Sequence, residues 1–419
     1  MFSSVLEPAQ RHLTQYVAST WFHQFAAEHP DCKFAVKFGD GTPVASTSRP
    51  SFTLVIQHPG VLQKVLDSPD ELTLGELFVN GELDVEGDME AALQFGELLM
   101  WHAHQLGNQA NVHRLASILP TPNFDPPTRD GPLRGNLHSR ERDRAAIARH
   151  YDISNEFYQL WLDPYMQYSA GYFASAGEDL ETAQLHKLDR ICRKLRLKPG
   201  DRFLDIGCGW GGLVLYAAEH YGVGAFGITV SPSQAQFAWE RIRTAGLEQR
   251  CAVRVCDYRD IEQAEAYDKI ASIGMFEHVG ETMLKLYFEQ ALRLLRPGGL
   301  FLNSGVAASA TYKRVGASFI DTYVFPDGDL VPLHTAVQQA EMSGWEVRHV
   351  EGLGEHYALT LDHWVRRLQQ HTEQARQATD ETTCRTWKLY MAGSARGFRT
   401  GRVHLYQMLL AKPDATACA

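Results

Sequence analysis

The chain reads as an α/β protein, with an open twisted sheet of parallel strands in its last two thirds and a smaller α+β unit before it. Three observations predict this. From Ala145 onward, short apolar runs alternate with stretches of helical spacing, the pattern of parallel strands joined by crossover helices. A glycine-rich turn, Gly207-Cys-Gly-Trp-Gly211, joins the first of these strands to its helix. At 419 residues the chain also exceeds a single core, and at ~150 residues per domain it divides into two or three.

The elements follow in order. Leu13, Tyr16, Val17, Trp21 and Phe22 have helical spacing. Phe34–Phe38 and Ser51–Ile56 are strand-like runs separated by the turn-rich Gly39-Asp-Gly-Thr-Pro43. Gly75, Gly81 and Gly87 punctuate Leu74–Val85 at regular intervals, which predicts tight turns between short strands; Met89–His104 returns to helix. Pro120, Pro122, Pro126, Pro127, Gly131, Pro132 and Gly135 then disfavour helix and mark a linker or lid. The expected division is an α+β unit at 1–110, a linker or lid at 111–140 and the α/β domain at 141–419. Within that domain the strands are Arg202–Ile206, Gly224–Val230, Ala252–Cys256, Tyr267–Ile273 and Gly299–Gly305, with helices at Leu213–Tyr221 and Ser233–Ala245. Such a sheet binds its ligand beyond the carboxyl ends of its strands.

Composition narrows the function. Forty Lys and Arg against fifty Asp and Glu leave a net charge of −10, which argues against a nucleic-acid partner. Seven scattered cysteines without a CxxC pair predict a reduced chain with neither a disulfide framework nor a metal site. No apolar run approaches the ~18–20 residues that span a bilayer, and the N-terminus lacks a secretory apolar core; the expectation is a cytoplasmic protein. One local basic cluster stands out: Arg134, Arg140, Arg142, Arg144 and Arg149. It is either a solvated helix face or a contact for phosphate headgroups at a membrane surface.

The run Phe203-Leu-Asp-Ile-Gly-Cys-Gly-Trp-Gly-Gly212 carries the sharpest chemistry. Its glycines allow close backbone approach to a ligand at a helix N-terminus. A dinucleotide site would show G-x-G-x-x-G and an acidic residue after the second strand. Here the second strand ends Gly-Ile-Thr-Val-Ser231. The combination resembles motif I of class I S-adenosylmethionine (SAM)-dependent methyltransferases, which implies a Rossmann-like fold. The resemblance sets Asp205, Gly207 and Gly209 near the methionine moiety and Thr229 and Gln234 near the ribose. Asp257, Tyr258 and Arg259 would hold the adenine, and Tyr168 and Ser169 the SAM carboxylate.

The flanks go further. His150-Tyr-Asp-Ile-Ser-Asn155 through Tyr168-Ser-Ala-Gly-Tyr-Phe173, Gly274-Met-Phe-Glu-His-Val-Gly280, Tyr323-Val-Phe-Pro-Asp-Gly328 and Trp387–Gln407 resemble the cyclopropane-fatty-acyl-phospholipid synthases and related mycolic acid methyltransferases. Gly81–Asp88 looks like the small N-terminal lipid-binding domain of the longer bacterial members. The resemblance implies methyl transfer from SAM to a cis double bond in the acyl chain of a membrane phospholipid, peripheral attachment to the inner face of the membrane, and a homodimer. Glu277, Tyr357, His278 and Tyr323 are the catalytic candidates, Glu277 foremost; Gln184 and Lys187 look like residues that cap or solvate a helix.

The sequence also departs from the family. Ring-forming members hold a bicarbonate through a Cys, a Glu, a His, a backbone group and a Tyr. Glu277, Val306 and Tyr357 match, but the Cys position is Ala170 and the His position Ser304. Two hydrogen bonds to a charged group are worth roughly 3–6 kcal/mol, so bicarbonate binding is weakened unless His356, His278 or Asn303 compensates. The product is then either a cyclopropane or a methyl-branched alkene. Two other readings stay open: an N-methyltransferase for a small amine, and a lipid-binding homologue whose catalytic site has decayed.

Overall fold

Phe22, Phe25, Phe34, Phe52 and Phe95 meet in the core of the N-terminal unit, with ring centroids 4.8–6.3 Å apart in adjoining pairs. The computed structural model describes residues 8–58, 60–68, 70–106, 119, 133–151, 153–311 and 318–414. They fall into two units, the first from residues within 1–130, 314–324 and 381–393, the second from the remainder. Residues 107–118 and 120–132, which include most of the linker expected at 111–140, lie outside the described residues.

In the first unit, helix Pro8–Glu28 and helix Met89–Leu106 accompany a four-stranded sheet of β1 (Phe34–Phe38), β2 (Pro43–Ser46), β3 (Phe52–Ile56) and β4 (Leu83–Gly87), in the order β2-β1-β3-β4. Pro43 opens an edge strand, where its missing N–H costs nothing. The turns expected over Leu74–Val85 are a correction: Glu71–Val79 is a helix, N-capped by Asp70, which accepts Thr73 N–H at 2.8 Å. Gly75 sits inside that helix because a Cβ there would lie 2.3 Å from the Phe319 ring, so its role is close packing rather than turning. At the end of the first helix, Glu28, His29 and His102 bring possible ligand atoms within 4.8 Å of one another; the sequence shows no such spacing.

The second unit is built on seven strands: β5 (Arg202–Ile206), β6 (Gly224–Thr229), β7 (Cys251–Val255), β8 (Tyr267–Ile273), β9 (Leu295–Ala308), β10 (Glu346–Gly352) and β11 (Val403–Ala411), in the order β10-β11-β9-β8-β5-β6-β7. β9, β8, β5, β6 and β7 pair in parallel, whereas β11 runs antiparallel to both neighbours. Both faces are buried. Phe203, Ala271 and Leu302 join one apolar cluster with helices Leu180–Lys194 and Gly212–Tyr221; Leu204, Ile270 and Phe301 join another with helix Leu284–Leu294. Strand order reverses at β5, which has β6 on one side and β8 on the other. That is where such sheets open a crevice.

Candidate active site

A cavity lies beyond the carboxyl ends of β5, β6 and β8. Asp205, Gly207 and Gly209 line it from the first turn, Thr229 and Gln234 from the second, and Asp257, Tyr258 and Arg259 from the third; Tyr168, Ser169 and His278 close it. The structure thus gathers every residue assigned to the cofactor from sequence into one place. Gly207 (φ 79°) and Gly209 (φ 53°) hold left-handed backbone that L side chains rarely adopt. A Cβ on Gly209 would meet nothing within 4 Å, so the backbone is bare toward open space. This cradle, with hydroxyl, amide and carboxylate groups around it, fits a nucleoside-linked methyl donor.

Local chemistry sets each side chain. Ser231 caps helix Pro232–Thr244 by accepting Gln234 N–H at 3.3 Å, with Pro232 in the first turn. Gln234 Oε1 then accepts the Thr229 hydroxyl at 2.7 Å. Asp257 caps the next turn and holds Arg259 through Nε at 2.8 Å and Nη2 at 2.6 Å. Arg259 also donates to Asp143 at 3.0 Å and to the His138 carbonyl at 3.1 Å. Its donors are committed to protein groups, which makes it a brace for the turn. Burial pushes the Tyr258 hydroxyl up to about 12, and the ring stands edge-on to Tyr287 at 5.5 Å.

Beneath the cavity is a buried charged layer. Burial pushes Asp205 up to about 7 against the pull of Lys187, and pushes Lys187 down to about 8 against Asp163 and Asp205. Lys187 donates to Gln167 Oε1 and, at 3.0 Å, to Ser169 Oγ; Gln184 Nε2 reaches the Ser169 carbonyl at 2.9 Å. Far from solvating a helix, Gln184 and Lys187 are buried and hold the Tyr168–Ser169 segment. Polar residues at helical spacing look solvated until packing shows otherwise. Tyr168 OH lies 3.1 Å from His150 Nε2.

A second, smaller cavity adjoins the first, sharing Ser169, Ile273 and Gly274 as lining. Ala170, Glu277, Ser304 and Tyr357 face it together. Glu277 follows β8 on the short turn Phe276–His278. Its Oε1 accepts Val306 N–H at 2.7 Å from β9, while Oε2 is buried with no partner among the described residues. Burial lifts this carboxyl up to about 7 and drops the neighbouring His278 to about 4, so that imidazole is neutral at pH 7.

Residues 138–408 match the family described as mycolic acid cyclopropane synthetase. The chain belongs to this family. A probable fatty acid methyltransferase of Pseudomonas putida is 38% identical over 384 residues, 91% of this chain and 92% of that protein. The cyclopropane-fatty-acyl-phospholipid synthase of Escherichia coli K12 is 37% identical over 281 residues, 66% of this chain and 70% of its own. Mycolic acid cyclopropane synthase CmaA1, solved with SAH and CTAB, superposes with a TM-score of 0.61 at 32% identity, covering 64% of this chain and 98% of that one. The protein is therefore a SAM-dependent methyltransferase of the cyclopropane and fatty acid methyltransferase family, with the class I fold.

Other residues singled out from the sequence have partners of their own. Tyr323 belongs to the first unit, where its hydroxyl donates to Glu76 Oε1 at 2.8 Å. His356 Nδ1 accepts Phe173 N–H at 3.1 Å and Asn303 Oδ1 accepts the Tyr287 hydroxyl at 2.7 Å; His278 lines the larger cavity. None of these three lines the Glu277 cavity. In the basic cluster Arg142 pairs with Asp327 at 2.6 Å and Arg140 with Asp260 at 3.0 Å, and Arg144 lines the larger cavity. Much of its charge serves the second unit internally.

Proposed function

We propose that the enzyme transfers the methyl group of SAM to the cis double bond of an unsaturated acyl chain in a membrane phospholipid, giving a methyl-branched or cyclopropane chain. The observation that carries this is the pairing of the two adjoining cavities, one suited to the donor and the other holding the buried carboxylate Glu277. The likeness to the P. putida and E. coli proteins supports an acyl substrate. Bound SAM supplies an electrophilic methyl on a positively charged sulfur. Asp205, Gly207 and Gly209 hold its methionine end, Thr229 and Gln234 the ribose, and Asp257 and Tyr258 the adenine, with Arg259 bracing that turn. Tyr168 and Ser169, fixed by His150 and Lys187, complete the wall. An alkene is a weak nucleophile, so alignment in a dry pocket does most of the work.

The first unit supports lipid handling. It contains a cavity lined only by apolar residues, among them Val17, Trp21, Leu54, Ile56, Leu62 and Leu99, a surrounding suited to hydrocarbon. No helix among the described residues is long and apolar enough to cross a membrane; the proposed access to lipid is peripheral, from the cytoplasmic face. A homodimer would double the membrane contacts. The test uses the purified full chain, methyl-labelled SAM, and vesicles of unsaturated or fully saturated phospholipid beside soluble amines. Label should enter only the unsaturated lipid. Label in an amine, or in no lipid, would overturn the reading.

A further inference from the structure

The cavity beside Glu277 encloses a carboxylate oxygen with nothing to bond. Oε1 is satisfied by Val306 N–H, whereas Oε2 is buried without a partner among the described residues. Folded proteins rarely leave a polar atom so, and where they do the site calls for a functional account. The family pattern would place bicarbonate here, but this donor set does not match it. Position 170 offers a methyl, position 304 a neutral hydroxyl, and the N–H at 306 is already spent on Glu277. The two cations lining the cavity are largely engaged, with only the buried Nε of Arg190 lacking a partner among the described residues. Lys187 bonds Gln167 and Ser169, and Arg190 pairs with Glu351 while its guanidinium lies 4.3 Å from the Tyr172 ring centroid.

Building on the methyl transfer to an acyl double bond proposed above, we propose that Glu277 Oε2 itself takes the proton that ends the reaction. It takes that proton from a carbon of the acyl chain, so the product is a methyl-branched alkene formed without bicarbonate. The electrons balance. The π pair of the alkene forms the bond to the methyl carbon, the bond from that carbon to sulfur breaks, and its pair stays on sulfur. The other alkene carbon is left cationic. Glu277 removes a proton from the chain carbon beyond it, and the released C–H pair becomes the new double bond.

Three features favour the carboxylate as base. Its cavity shares Ser169, Ile273 and Gly274 with the donor cavity, so Oε2 lies in a space next to the one that would hold the methyl donor. Glu277 is held by both its side chain and its backbone, with Oε1 on Val306 and its carbonyl accepting Asp329 N–H at 3.3 Å. Burial also lifts the group to about 7, where a base is both available and strong enough to act near neutral pH.

Methyl-deuterated SAM decides the matter. With unsaturated phosphatidylglycerol vesicles in carbonate-stripped buffer, the lipid product should keep all three deuterons, and added bicarbonate should change the rate less than twofold. Retention of two deuterons, which requires proton loss from the methyl, would overturn the proposal. So would a tenfold or greater stimulation by bicarbonate, the result expected if the buried Nε of Arg190, which has no partner among the described residues, takes an anion. Glu277→Ala should lose about 10²–10⁴-fold in rate while binding SAM normally by calorimetry, and formate should restore part of the loss. Intact donor binding without formate rescue would count against a base role. Failure of the wild-type chain to label any lipid would instead sink the methyl-transfer reading, and the proposal with it.

Discussion

Glu277 Oε1 and Val306 N–H, 2.7 Å apart, tie the turn after β8 to the C-terminal end of β9 and fix one oxygen of a carboxylate whose other oxygen has no partner among the described residues. The arrangement is stable only in part, because the ionised form is the one that burial penalises.

That makes Glu277→Gln a stabilising change at high pH. The folded carboxyl titrates at about 7, against 4.5 for the free group, so the native state holds its proton more tightly than the unfolded chain. Stability falls as pH rises from about 4.5 through 7, and the loss is complete above that. E277Q should therefore gain about 3 kcal/mol at pH 8 and less than about 1 kcal/mol at pH 5. Calorimetric unfolding at the two pH values checks it; equal melting shifts at both would refute it.

Lys187 shares a buried site with Asp163 and Asp205. Lys187→Met leaves those carboxylates without their cation and should cost about 3–5 kcal/mol. SAM affinity should drop as well, since Ser169 loses its anchor. Thermal melts and calorimetry of the same sample give both numbers.

Gln234→Ala removes the acceptor of the Thr229 hydroxyl. A buried hydrogen bond of this kind is worth about 1 kcal/mol, so donor affinity should fall roughly fivefold with the melting temperature nearly unchanged. A large melting shift would show the pair to be structural instead.

Arg142→Ala breaks a two-pronged pair with Asp327. If the basic stretch served chiefly to meet headgroups, vesicle binding would fall and stability would hold. The geometry predicts the reverse: a lowered melting temperature with vesicle co-sedimentation little altered.

Much of this was legible in the sequence, and the exceptions share a cause. Arg202–Ile206 and Tyr267–Ile273 form strands over the expected residues because apolar alternation ends at turn residues on either side. The residues assigned to the donor cavity converge because they sit at strand ends, which topology brings together. β11 escaped notice because Val403–Ala411 is a nearly continuous apolar run that periodicity cannot separate from helix. The Glu71–Val79 helix is hidden in the sequence because Gly75 signals a turn there, whereas in the packed structure it serves close contact. Tyr323, Asn303 and His356 have partners far away in the chain, and no local pattern announces them.

The insertion of β11 between β9 and β10 bears on biosynthesis. Leu405 and Gln407 of this strand wall the smaller cavity, so that cavity is incomplete until these residues have left the ribosome. During elongation, β9 waits with an open edge and an exposed carboxylate beside it. A nascent chain stalled before Val403 should therefore be a client for chaperones rather than a slow enzyme.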